Sequence, residues 1–217
     1  ASGSDNGNPT LSDVGSVSIY GLSELNGQWN QIGSTIYGLN QEEFLGKSVS
    51  LSKTGSILAV GAPNSGKPGA VKVFENVNNN WVLKGPAIQG GALNENFGWS
   101  LDVSDNGNRV AIGDPSYDLT NNTNEGSVSV YEYAVGSNTW GKIGASITGQ
   151  SPNSGLGYDV QLSSDGSLLG IGSPEIGVSN ENGYTSIYKL ESGQWVQLGS
   201  DIQGEANTDE SGTAISL

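Results

Sequence analysis

A short phrase that opens with tryptophan occurs four times in this chain of 217 residues. In every copy an isoleucine follows seven residues after the tryptophan, and a glycine two residues after that. The copies begin at Trp29, Trp81, Trp140 and Trp195, which gives spacings of 52, 59 and 55 residues. A period near fifty residues is typical of chains built from repeated supersecondary units. The repeat therefore constrains the fold, and repeat arrays commonly provide scaffolds or binding surfaces.

Each repeat carries the signals of four short antiparallel strands, as the second copy illustrates. Residues 97–104 alternate between apolar and polar side chains, which is typical of a strand with unlike faces. An Asn-Gly pair within 105–108 predicts a tight hairpin turn. The apolar run at 110–113 predicts a strand covered on both faces, and Pro115 ends it. A third strand at 128–131 ends in an aromatic residue, and the tryptophan phrase supplies the fourth.

These units predict an all-β fold, a β-propeller of four-stranded antiparallel blades with about four repeats. A β-solenoid-like repeat array is the alternative, although solenoids usually have shorter repeats and fewer hairpins. We expect a single repeat domain over 1–217, divided into a partial blade at 1–43, blades at 44–96, 97–155 and 156–210, and the start of another blade at 211–217. Because the split blade lacks a second strand, we expect part of a larger propeller, such as a seven-bladed one, or edges completed by another copy.

Composition excludes several classes of function. The 22 acidic and 8 basic residues give a net charge of −14, which opposes approach to a phosphate backbone and argues against nucleic acid. Basic partners and neutral polymers such as glycans are compatible with that charge. Without histidine or cysteine the chain cannot form a Ser-His-Asp or Cys-His catalytic system. No apolar run reaches the ~20 residues that span a membrane.

The order of segments 97–100, 110–115 and 126–131 resembles the FG-GAP repeats of integrin α-chain propellers. Gly61-Ala62-Pro63 matches the second half of that motif's name. The tryptophan phrase is similar to that of large secreted or cell-surface repeat proteins of marine microbes and algae. The resemblance implies an extracellular or cell-surface location. It also implies partners that are other protein copies, a larger extracellular assembly or surface polymers.

FG-GAP repeats often bind calcium in the hairpin between their first and second strands, through several aspartates. Here each such hairpin contains at most one aspartate, Asp105 or Asp165. Because calcium needs six to eight oxygen ligands, we expect the usual site of the family to be absent. The candidates for a weaker calcium site are Asp114, Asp118 and Glu125, for which solvated loop charges are the alternative explanation. No other cofactor is expected.

Three side chains are candidates for ligand contact. Strand alternation points Asp102 and Asp159 into the propeller channel, where two carboxylates could act in glycoside hydrolysis or simply line a wet channel. Trp99 takes the place of a lysine and a tyrosine in the other copies, so it is a better candidate for glycan contact than the four recurrent tryptophans, which packing explains. Asn121, in an Asn-Asn-Thr triplet, is a candidate glycosylation acceptor.

The sequence therefore predicts a noncatalytic extracellular structural or adhesion module that contacts proteins or surface polymers. The alternative is a secreted carbohydrate-binding or carbohydrate-active protein that uses the channel carboxylates. Loss of a hydrolase activity on replacing Asp102 or Asp159 by asparagine would favour the alternative.

Overall fold

The computed structural model describes residues 12–63, 68–91, 95–118, 123–174, 182–206 and 209–217. Within these ranges the chain is all-β, with nineteen short strands that pair in five antiparallel sheets. The same ranges contain no helix with the length and apolar character needed to cross a membrane.

Two two-stranded sheets come first, and three five-stranded sheets follow. The first four strands, here called the split unit, are β1 (Ser16–Val17), β2 (Tyr20–Leu22), β3 (Trp29–Gln31) and β4 (Ile36–Tyr37). Sheet I contains β5 (Val49–Leu51), β6 (Ile57–Ala62), β7 (Ala70–Val77), β8 (Asn80–Leu83) and β9 (Ile88–Gln89). Sheet II contains β10 (Ser100–Val103), β11 (Arg109–Asp114), β12 (Ser127–Ala134), β13 (Thr139–Lys142) and β14 (Ile147–Thr148). Sheet III contains β15 (Asp159–Leu162), β16 (Leu168–Ser173), β17 (Tyr184–Glu191), β18 (Gln194–Gln197) and β19 (Ile202–Gln203).

The first four strands of each larger sheet lie side by side in chain order. The turn between β10 and β11 has Gly107 at a φ of 69°, and the Asn106 side chain accepts the Asn108 N–H at 2.9 Å. β11 pairs on both edges, with β10 and β12, and five of its six residues are buried. The apolar run at the second strand thus predicts its burial correctly.

The prediction of four-stranded blades is wrong, because each larger sheet has a fifth strand. The sequence pattern predicts that the whole tryptophan phrase forms one outer strand. In sheet I that strand ends at Leu83, and Gly85, with a φ of 77°, turns the chain away. Ile88–Gln89 (β9) then pairs with the start of β7, on the edge whose later residues pair with β8. One eight-residue strand therefore pairs with two short strands along the same edge. This antiparallel arrangement also excludes the β-solenoid-like alternative.

The split unit has the layout of the outer part of a larger sheet. β1 pairs with β4 and β2 pairs with β3, as the two halves of β7 pair with β9 and β8. Ser18 and Ile19 interrupt what is one continuous strand in sheet I. Within the described residues, the split unit thus contains the equivalents of the third, fourth and fifth strands.

Apolar clusters fill the spaces between successive units. Between sheets I and II the buried cluster contains Ile57, Ala59, Val71, Val73, Ile88, Phe97, Leu101, Val103, Val110 and Ile112. Similar clusters lie between the split unit and sheet I, and between sheets II and III. Because both sheets contribute to each cluster, every sheet is stabilised by burial against its neighbours in the chain.

One hydrogen bond, here called the tryptophan lock, recurs at each of these three junctions. The indole N–H of a tryptophan donates to a backbone carbonyl of the preceding unit, just before a glycine of positive φ. The pairs are Trp81 with Ile32 at 2.9 Å, Trp140 with Lys84 at 2.7 Å, and Trp195 with Ile143 at 3.1 Å. A Cβ on Gly33 would lie 2.9 Å from Cδ1 of Trp81, so this glycine provides space as well as backbone freedom.

Candidate functional site

Three equivalent residues form a ladder just before the first strands of sheets I, II and III. They are Lys47, Trp99 and Tyr158, and each follows a glycine whose φ is 92°. The Lys47 ammonium lies 3.9 Å from the centroid of the Trp99 ring. The ring centroids of Trp99 and Tyr158 are 5.7 Å apart, with their planes at 51°. Trp99 is thus held between a cation on one side and a phenol ring on the other.

A cavity of about 300 Å³ opens beside the Trp99–Tyr158 pair. Its other lining residues are Asn96, Pro115, Ser116, Asn124, Asn153, Gly155 and Pro174. The two prolines directly follow β11 and β16, where they end strand pairing. Asn124 and Asn153 have left-handed φ angles of 48° and 61°, which asparagine adopts more readily than most residues. The volume lies at the lower end of the ~300–1,000 Å³ that is usual for small-molecule sites.

Asp114 lies directly behind this lining and is only 1% exposed. Its Oδ1 accepts the backbone N–H of Asn96 at 2.9 Å, and the Asn96 amide donates to the Ser116 hydroxyl at 2.7 Å. Burial, and then the nearby carboxylate of Glu95, raises the pKa of Asp114 to about 7. A group that gains or loses a proton near neutral pH is therefore hydrogen-bonded to the cavity wall.

The structure places the three predicted contact residues in two different environments. Trp99 lines the cavity, whereas Asp102 and Asp159 make hydrogen bonds from a first strand to the unit or segment that follows it. Asp102 accepts the Leu162 N–H at 2.8 Å, and Asp159 accepts the Ile215 N–H at 2.8 Å. Asp102 also accepts the hydroxyl of Ser50, and burial raises its pKa above the usual value. Both carboxylates thus hold neighbouring units together.

Each calcium candidate has its own hydrogen-bond partner. Asp114 accepts backbone amides behind the cavity, Asp118 accepts the Asn124 N–H at 2.6 Å, and Glu125 accepts the hydroxyl of Thr123. No group of three or more acidic side chains is placed to share a metal ion in the ranges that the structure describes. Each of these carboxyl groups thus accepts a hydrogen bond from a backbone or hydroxyl donor. The glycosylation candidate, Asn121, lies outside the described residues.

Sequence reasoning identified Trp99 but missed the rest of the cavity. The signal for Tyr158 was present, because it occupies the same column of the repeat as Trp99. The asparagines carried no such signal, since they lie in loops of unequal length. Only the packing of sheet II against sheet III brings Asn96 near Asn153.

No family model matches the sequence, and no curated protein is similar to it. Several solved structures are similar in fold. A putative 6-phosphogluconolactonase from Bacteroides uniformis is 13% identical, with a TM-score of 0.58, over 90% of this chain and 50% of that one. The periplasmic gluconolactonase PpgL of Pseudomonas aeruginosa is 12% identical, with a TM-score of 0.53, over 87% and 51%. Sqt1 of Saccharomyces cerevisiae is 12% identical, with a TM-score of 0.52, over 78% and 38%.

The chain thus spans about half the length, or less, of these structures. The likeness is to seven-bladed, propeller-like folds. This likeness corrects two predictions. One is that the chain is a noncatalytic extracellular structural or adhesion module, and the other is that it is not an enzyme. Two of the similar structures are named as lactonases, so the repeat architecture does not imply a scaffold role. A fold hosts many functions, and the site has to decide between them.

Proposed function

We propose that this chain binds a neutral sugar or sugar lactone between sheets II and III and takes part in carbohydrate processing. The observation that carries the proposal is the cavity beside Trp99 and Tyr158, in which aromatic rings and side-chain amides converge. The C–H faces of a sugar pack against aromatic rings. Its hydroxyls match amide groups, which both donate and accept.

The charges around the cavity favour a neutral ligand over a phosphorylated one. Phosphate sites in proteins use arginine, lysine or a helix N-terminus, and none of the described lining residues is basic. Lys47, the ladder residue next to Trp99, holds its ammonium against the Trp99 ring. Two buried acids, Asp114 and Glu95, lie on the protein side of the wall.

Asp114 is proposed to position the cavity wall. Its carboxyl accepts the Asn96 N–H, and Asn96 in turn donates to Ser116, so both lining residues depend on one buried group. Because Asp114 is buried, we assign it a role in orienting Asn96 and no direct contact with the ligand.

Calorimetric titration with glucose, glucono-δ-lactone and glucose 6-phosphate tests the binding. We expect the neutral compounds to bind and the phosphate to bind at least about tenfold more weakly. Trp99→Ala should weaken binding at least about tenfold, the scale of an important contact residue. Trp29→Ala is the matched control, because this tryptophan is 67% exposed and lies in the split unit.

Tighter binding of the phosphate, or equal binding by the Trp99→Ala variant, would overturn the site. Processing is tested separately by following acid release from glucono-δ-lactone at constant pH. Hydrolysis above the spontaneous rate, reduced in Trp99→Ala and unchanged in Trp29→Ala, is expected. A rate equal to the spontaneous one would remove the processing half of the proposal.

A further inference from the structure

We propose that a second copy of this chain pairs head to tail with the first, so that Trp29 of one copy donates to the Leu198 carbonyl of the other. The proposal extends the tryptophan lock, which joins each pair of successive units inside the chain, to the two outer faces of the chain. It does not depend on the proposed sugar site.

The split unit presents the donor half of a lock without its acceptor. Trp29 is 67% exposed, and its indole makes no hydrogen bond within the described residues, whereas Trp81 packs against the cluster between the split unit and sheet I. The aromatic residue that ends the third strand shows the same contrast. Tyr20 of the split unit is 54% exposed, and the equivalent Phe74 of sheet I is 7% exposed.

Sheet III presents the acceptor half. Leu198 is equivalent to Ile32, Lys84 and Ile143, whose backbone carbonyls accept the indole N–H in the internal locks. Beside it, Gly199 has a φ of 70° and no atom within 4 Å of where its Cβ would lie. At Gly33 the same space is filled by a tryptophan ring. Ile202 is 62% exposed, while its counterpart Ile88 in sheet I is 6% exposed.

A second copy fits because it carries both complementary faces. If two copies face each other across a twofold axis, each Trp29 meets the other copy's Leu198 and the contacts close without leaving an open face. Each copy provides the split unit and three five-stranded sheets, so the closed pair would contain eight units. Closure would also cover sheet faces that otherwise stay exposed.

Light scattering after gel filtration tests the proposal on the 217-residue chain. We expect a mass of twice 22.3 kDa at micromolar concentration. Trp29→Glu and Ile202→Glu should each raise the dimer dissociation constant at least about 30-fold, as expected for interface hot spots. Leu25→Glu is the matched control, because Leu25 is 99% exposed in the β2–β3 hairpin and should leave the dimer intact.

A wild-type monomer at every concentration, or open-ended polymers, would overturn the closed pair. So would a dimer that survives both glutamate variants. Circular dichroism of each variant separates lost pairing from lost folding. Glucose binding should be unchanged in the monomeric variants, since the cavity lies between sheets II and III of one copy. Failure of the pairing and failure of the sugar site are thus distinguishable.

Discussion

The junction between sheets I and II and the junction between sheets II and III are built from the same repeat, yet the cavity opens at the second. Both have a buried apolar cluster and a tryptophan lock. Two of the positions at which they differ lie near the cavity. The end of the second strand is Ala62 in sheet I and Asp114 in sheet II. The ladder residue that faces the junction from the earlier sheet is Lys47 in the first case and Trp99 in the second.

Constant and variable positions of the repeat have different roles in this protein. Residues that recur in every repeat lie in the clusters and locks that hold sheets together. Residues that change between repeats lie where strands meet loops, and there they can form a site without disturbing the packing. Removing a constant residue should therefore reduce stability. Changing a variable one should alter charge or binding.

The largest effect is expected from removing Trp140, which forms the tryptophan lock between sheets I and II. Trp140→Ala removes a packed indole and should lower the free energy of unfolding by about 3–5 kcal/mol. Trp140→Phe keeps an aromatic ring but leaves the Lys84 carbonyl without its donor, which should cost about 1–3 kcal/mol. Urea denaturation followed by circular dichroism measures both. A Trp140→Phe variant as stable as the parent chain would show that the hydrogen bond contributes nothing beyond the ring.

The second prediction concerns Asp114, which distinguishes the junction that has the cavity. Its pKa is raised from an ordinary 3.8 to about 7, so between these pH values the folded chain binds more protons than the unfolded chain. The free energy of unfolding should therefore fall as the pH rises from about 4 to 7, by an amount on the order of 4 kcal/mol, and then level off. Urea denaturation across this range measures the slope.

Asp114→Asn should remove most of that slope, because asparagine has a similar shape and does not titrate. Asp102→Asn is the comparison variant, since burial also raises the pKa of Asp102 but this group lies between first strands. The assignment to Asp114 is refuted if its variant keeps the full slope.

The smallest effect is expected at Lys47. Lys47→Met keeps the apolar stem and removes the ammonium above Trp99, which should cost about 0.5–1 kcal/mol of stability. Lys47→Arg should retain most of it, because guanidinium also stacks on aromatic rings. Differential scanning calorimetry compares the three chains. An unchanged melting temperature in the methionine variant would mean that the ladder is held by Trp99 and Tyr158 alone.

Local patterns predicted much of each sheet because they reflect local physics. The Asn-Gly turn before β11 and the burial of that strand follow from backbone preference and from apolar runs. Packing as the role of the recurrent tryptophans is confirmed for Trp81, Trp140 and Trp195, which contact the buried clusters. The likeness to FG-GAP repeats and an extracellular location stay predictions.

The all-β repeat, with its hairpins, its buried apolar strands and its recurrent tryptophans, follows from the amino-acid sequence alone. Three further features follow from tertiary packing: the fifth strand of each larger sheet, the partners of Asp102 and Asp159, and the cavity. The reason is that each of these depends on residues far apart in the chain. A two-residue strand such as Ile88–Gln89 gains its hydrogen bonds only after Gly85 turns it toward β7. A cavity between two sheets likewise exists only once both are packed.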